Sequence, residues 1–170
     1  MTTTTLNRTE AVVANPPTDV RESLGEQILL KLALDAVQSL EPSKLNAAVT
    51  GEPTIRPQMM LTLLAYCYAA RIYASQDIAC ASRNDPSVRY ICARTVLDWR
   101  TIRQFRRNNR ELVEQCLAYV LKRAWLLESN EPEGEWSAFN VVVPERTWDF
   151  AFAAQQKIEV AIIMDMPQCD

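Results

Sequence analysis

The chain has 170 residues, 48% of them hydrophobic and 23% charged, with a formal net charge of −3. It contains 3 glycines, 5 cysteines and no histidine. These counts exclude a histidine-based nucleophile pair and a histidine-ligated metal, and three glycines leave no room for a phosphate-cradling loop.

The length suits one domain with its own core, and the scarcity of glycine tilts the fold toward helix, because sheet turns and bulges draw on it. The cysteines, at 67, 80, 92, 116 and 169, are odd in number and form no CxxC pair. They predict neither a disulfide framework nor a zinc site, and read as small buried thiols in a reducing cytoplasm.

The Thr-rich start, ending in Pro16-Pro17, reads as a mobile tail over 1–21 without the basic-then-apolar pattern of a signal peptide. Residues 22–40, "ESLGEQILLKLALDAVQSL", place apolar side chains at 24, 28, 29, 32, 36, 37 and 40, which predicts one amphipathic helix running through Gly25. A connector follows over 41–56. Pro57 then opens a helix over about 57–72 that is apolar on nearly every side and is expected at the centre of the core. Its longest uncharged run, "QMMLTLLAYCYAA", is too short to span a bilayer. Tyr66, Tyr68 and Tyr73 read as apolar wedges with a polar tip. Ser75 is a candidate cap for a short helix over 75–83, which "NDP" at 84–86 breaks. A second short helix is expected over 86–93, with Val88, Ile91 and Cys92 inward.

The next stretch is unusual. "LDWRTIRQFRRNNREL", 97–112, carries five arginines, Arg100, Arg103, Arg106, Arg107 and Arg110, in an acidic protein. Asp98 suits an N-cap, its carboxylate accepting from the first free N–H groups. Helical spacing sets Trp99, Ile102 and Phe105 on one face and the arginines on an adjoining wet face. Asn108 with Glu111 has capping-box spacing, which would end one helix and begin another. Residues 109–127 show apolar pairs at 112/113, 116/117, 120/121 and 124/125, the clearest amphipathic helix in the chain. Beyond 128, "ESNEPEGEW" reads as an acidic linker, "NVVV" at 140–143 as a short extended piece, and about 145–165 as a last helix, with a strand over 158–165 as the alternative. The expected fold is all-α, about six helices with a helix-turn-helix-like arginine segment. The expected organisation is a tail over 1–21, a helical domain over 22–128, and an acidic linker with a C-terminal helix over 129–170.

Charge is unevenly divided. Residues 1–50 hold 4 basic and 6 acidic side chains, residues 51–128 hold 12 and 7, and residues 129–170 hold 2 and 8. The helical middle is therefore basic between acidic flanks. An arginine ridge of this kind attracts nucleic-acid phosphates and can fork onto guanine edges. The competing reading is a solvated face paired to local acids such as Asp98 and Glu111. The carboxylates form no spaced set on one apolar helical face, and Asp98 reads as a cap rather than a catalytic acid. No catalytic residue, metal ligand or cofactor is expected.

Residues 51–127 carry an ordered set of features: Gly51, Pro53, Pro57, the Met59–Leu64 run, Tyr66, Tyr68, and a closing D-x-x-T-I-x-x-F-R-R-x-N read from Asp98, Thr101, Ile102, Phe105, Arg106, Arg107 and Asn109. This set resembles the InsH-type N-terminal domain of bacterial insertion-sequence transposases. The family's Ser-Ser-Arg helix start is "YASQD" here, retaining Ser75 alone. The resemblance implies binding to double-stranded DNA at transposon ends, carried over to Arg100, Arg103, Arg106, Arg107 and Arg110, and to Thr101 and Asn109. It also implies a ribonuclease-H-like domain with two metals held by acids, and the 42 residues after 128 are too few for one. Reading "VAIIMD" as a first catalytic strand ending at Asp165 leaves two partner acids unaccounted for. The expectation is a cytoplasmic DNA-binding domain without nuclease activity and without membrane association. The rival is a dimerisation or docking module, with a second copy or a separate catalytic subunit as partner and the 57–72 helix or the acidic tail as its surface.

Overall fold

The computed structural model describes residues 19–48, 50–51, 55–129 and 149–166. Most of the tail, the acidic linker with "NVVV", Pro53 and Cys169 lie outside the described residues. Within them the protein is wholly helical, with nine helices in place of the expected six or so: α1 (Val20–Leu24), α2 (Glu26–Gln38), α3 (Pro42–Ala47), α4 (Pro57–Ala69), α5 (Ser75–Asn84), α6 (Pro86–Ile91), α7 (Trp99–Asn108), α8 (Arg110–Ser129) and α9 (Phe150–Asp165).

The extra helices come from local breaks. Gly25 adopts φ 92 and ψ 158, a conformation open essentially to glycine, and divides the single helix expected over 22–40 into α1 and α2. Asp19 caps α1 by accepting from the Glu22 N–H at 3.1 Å, so helix begins inside the expected tail. The supposed connector holds α3, which opens on Pro42 at its first turn.

The central helix is as the composition implied. Every residue of α4 from Met60 to Ala69 is buried, with Tyr66 and Tyr68 among the largest side chains fully removed from water. Burying a large apolar side chain contributes about 1.5–3 kcal/mol, so α4 is the main hydrophobic contributor to the core. It packs against α2 and α8, which also pack against each other. On α8 the inward residues are Val113, Cys116, Leu117, Val120, Leu121 and Ala124. The last segment is helical through 158–165, so the strand alternative falls. Its Ala154, Ile158, Ala161 and Asp165 follow a helical stripe that lies against α8 and α4.

Two expected caps differ. Ala74 holds the cap position of α5, and Ser75 is its first residue. The break between α7 and α8 falls at Asn109, one residue past the expected Asn108. Asp98 caps α7 as expected, accepting from the Arg100 N–H at 2.7 Å. Cys67, Cys92 and Cys116 are free and buried, while Cys80 is exposed, against expectation. Burial pushes the Cys92 thiol up to about 11 and the Cys116 thiol up to about 12, so both stay protonated and inert at neutral pH. Among the described residues no helix is long and apolar enough to cross a membrane.

Among the described residues no atom lies within 4 Å of the position a Cβ would take on Gly25. Gly25→Ala therefore probes backbone conformation alone, and is expected to lower the unfolding free energy by about 1–3 kcal/mol in urea denaturation; an unchanged midpoint would show that the α1–α2 corner can relax.

Candidate nucleic-acid interface

The arginine helix is built around one buried ion pair. Arg106 is 6% exposed and Asp165 is 1% exposed. The Arg106 Nη1 lies 2.8 Å from the Asp165 Oδ2 and donates to the Tyr68 hydroxyl at 3.3 Å. The Asp165 carboxylate also accepts from the Ser75 N–H at 2.8 Å and from the Ser75 hydroxyl at 2.7 Å. Arg103 approaches the same carboxylate, its Nε 3.8 Å from Oδ2. Side chains from α4, α5, α7 and α9 thus meet at one point. Burial by itself would lower the Arg106 guanidinium pKa, but Tyr68 and Asp165 outweigh it and hold the value above ordinary. Burial pushes the Tyr68 phenol up to about 12 against the pull of that cation, so it remains a neutral partner.

This corrects the expectation that all five arginines stand in water. Arg106 points inward. The reason lies in the helical wheel: Arg106 follows Ile102 by four residues and Trp99 by seven, which sets it about 40° and 20° from them, on the packed side. Ile102 and Phe105 are fully buried as expected, and Trp99 is partly buried. Arg103 sits at the margin with its side chain 17% exposed, its guanidinium 5.3 Å from the Trp99 ring centre. Arg100 lies over the same ring at 4.6 Å and keeps its side chain 72% exposed, 3.6 Å from Asp98. Arg107 is exposed, and among the described residues it forms no ion pair. Arg110 is exposed and pairs with Glu159 of α9. Thr101 is half-buried. Asn109 is buried, and its side-chain amide donates to the Phe105 carbonyl at 3.0 Å, which ties the α7–α8 junction.

The structure therefore separates the candidates. Arg100, Arg107 and Arg110 lie outside, Arg103 at the edge, and Arg106 and Asn109 within. Asp165 and Ser75 are the residues that sequence reading missed as a pair. The available signal was that Asp165 continues the 154, 158, 161 stripe of its helix, so an acid there had to be buried and partnered. In this structure the Asp165 carboxylate is engaged by Arg106 and Ser75. Among the described residues no group of three His, Cys, Asp or Glu side chains is placed to hold a metal ion. A further tie between α9 and the rest is Lys157, whose Nζ lies 3.2 Å from the Tyr73 hydroxyl and which burial pushes down to about 8.

Charge along this part of the chain comes from one residue type. Residues 83–110 hold eight arginines and two aspartates, with no lysine, glutamate or histidine. A helical domain that locks one arginine into its core and turns others outward along one short segment defines a class of helical modules with a cationic outer edge. The chain belongs to the family described as "Transposase domain (DUF772)", whose model matches residues 22–108. The matched segment ends on the last residue of α7. A search of curated proteins and a search of solved structures each found no match.

Removing one partner of a buried ion pair strands the other, at a typical cost of about 3–5 kcal/mol, whereas exposed pairs contribute about 0.2–1 kcal/mol. Asp165→Ala is expected to lose stability in the first range and Glu159→Ala in the second. Combining Arg106→Met with Asp165→Leu should recover much of the Asp165→Ala loss. Equal melting temperatures for the two single variants would refute the central role of the pair.

Proposed function

We propose that this protein is the DNA-recognition domain of an insertion-sequence transposase of the InsH type, binding duplex DNA at transposon ends without cleaving it. The observation that carries the reading is the outward placement of Arg100 at the start of α7 and of Arg107 and Arg110 at the α7–α8 junction, inside a stretch where arginines outnumber acids by eight to two. Arginine forks onto phosphate and onto guanine edges, so such a surface suits a duplex. Arg103 and Thr101 flank this surface. Arg106 and Asn109 act through position: they hold α7 so that its other side faces outward. The domain acts on DNA in the bacterial cytoplasm, as a homo-oligomer or beside a separately encoded catalytic subunit that supplies strand cleavage.

A reading without nuclease activity fits the use of five of the described carboxylates. Asp19, Asp85, Asp98 and Asp149 accept from helix N-termini, and Asp165 is consumed by Arg106 and Ser75. Carboxylates committed in this way do not converge on a metal pair.

Binding is measured by titrating a labelled mixed-sequence duplex against salt. Replacing Arg100, Arg107 and Arg110 together by alanine is expected to weaken binding and to flatten the salt slope by about two to three. Unchanged affinity and slope would defeat the DNA reading. Arg106 is left out of this set, because its loss acts on the fold.

A second reading, a protein-docking module, is favoured by one observation on α9. The helix buries one stripe and leaves Phe152, Ile163 and Met166 from 54% to 61% exposed on its outer side. Of the two surfaces named from sequence, the 57–72 helix is internal over Met60–Ala69, and most of the acidic linker lies outside the described residues. Light scattering across a concentration series is expected to show a dimer if that face pairs with a second copy; a monomer at every concentration would remove self-association.

A further inference from the structure

We propose a second phosphate-contacting cluster, formed by Arg83 of α5, Arg89 of α6 and Arg94 of the loop between α6 and α7. It rests on the reading that the domain binds duplex DNA, and it widens the footprint to a surface outside the arginine helix.

All three side chains are exposed, and among the described residues none forms an ion pair. The acids nearest along the chain are already engaged. Asp85 accepts from the Ser87 and Val88 N–H groups at 3.0 and 3.2 Å and pairs with Arg21 at 3.2 Å. Asp98 caps α7 and pairs with Arg100. The positive charge of this cluster is therefore not answered from within the described residues.

The three arginines are mounted around a single loop. The Arg94 N–H donates to the Arg89 carbonyl at 2.9 Å, which closes the C-terminus of α6. Farther along the same loop, the Leu97 N–H lies 3.4 Å from the hydroxyl of Ser82, the residue before Arg83. The loop then enters α7 at Asp98, beside Arg100. The cluster is thus continuous with the start of the arginine helix.

The backbone adds an independent argument. Ala93 and Arg94 adopt φ 48 and φ 64, both in the left-handed region. Helix ends of this type often place glycine there, because a Cβ is disfavoured in that conformation. Arg94 thus places a charged side chain at a helix end where the backbone disfavours a Cβ, a conformation that Arg71 at the end of α4 shares. Regularly spaced phosphates are the partner this chemistry fits: three forked, permanently charged donors with no lysine among them.

The test uses the full chain and a fluorescein-labelled mixed-sequence duplex of about 30 base pairs, with anisotropy read over a salt series and thermal melts run in parallel. Arg94→Gly is expected to raise the melting temperature, by relieving the backbone, and yet to weaken duplex binding about fivefold near 0.15 M salt with a slope smaller by about one. The triple variant Arg83→Ala/Arg89→Ala/Arg94→Ala is expected to reduce the slope by about two to three. If wild-type protein binds the duplex and Arg94→Gly binds it equally well with the same slope, the second cluster is overturned while the DNA reading stands. If the wild type does not bind the duplex at any salt, the DNA reading and this extension fall together.

Discussion

The contact between Arg106 and Asp165 is the constraint on which the arrangement of this domain turns. A guanidinium and a carboxylate, each removed from water, must find full hydrogen bonding or impose a large penalty. Here the carboxylate takes the guanidinium of α7, the N–H and hydroxyl of Ser75 at the start of α5, and the guanidinium in turn reaches Tyr68 on α4. A hydrophobic replacement of similar shape would hold the same volume at less electrostatic cost. The ion pair has a property that such a replacement lacks: it accepts few geometries. Together with the buried Ile102 and Phe105 it sets the rotation of α7 about its own axis, and so which of that helix's arginines face solvent.

That rotation resolves the apparent contradiction of an arginine-rich helix in an acidic chain. The total of −3 averages over regions of opposite sign. Within 83–110 the positive charge divides by role. One arginine is structural, one borders the core against Trp99, and the rest project outward. The C-terminal helix contributes on both accounts, supplying Asp165 to the inner arginine and Glu159 to Arg110. It therefore tempers the charge it also helps to orient.

Much of the helical architecture is legible in the sequence because it is encoded locally. Pro57 before an apolar run, Asp98 before an amphipathic turn, and the paired apolar positions of α8 each carry their signal within a few residues. The break at Gly25 is not legible in this way, because a glycine near a helix start costs little in either outcome and its φ of 92 is a tertiary choice. Ser75 has the chemistry of a cap, yet its donors go to an acid 90 positions away, which no local pattern reveals. The charge of Arg106 argues for water. Its spacing from Ile102 and Trp99 points the other way, and spacing decides. Arg100 and Arg107 are legible as outer arginines because the same wheel turns them away from the packed stripe.

Where the partner carboxylate sits along the chain has a practical consequence for anyone dissecting this domain. The family match closes at residue 108, and the acid that neutralises its interior cation lies 57 positions farther on. A fragment trimmed to the matched segment would carry a permanently ionised side chain into its core with a lone phenol for company. Its poor behaviour would then report the missing α8 and C-terminal helix and nothing about the affinity of the arginines left on its outside.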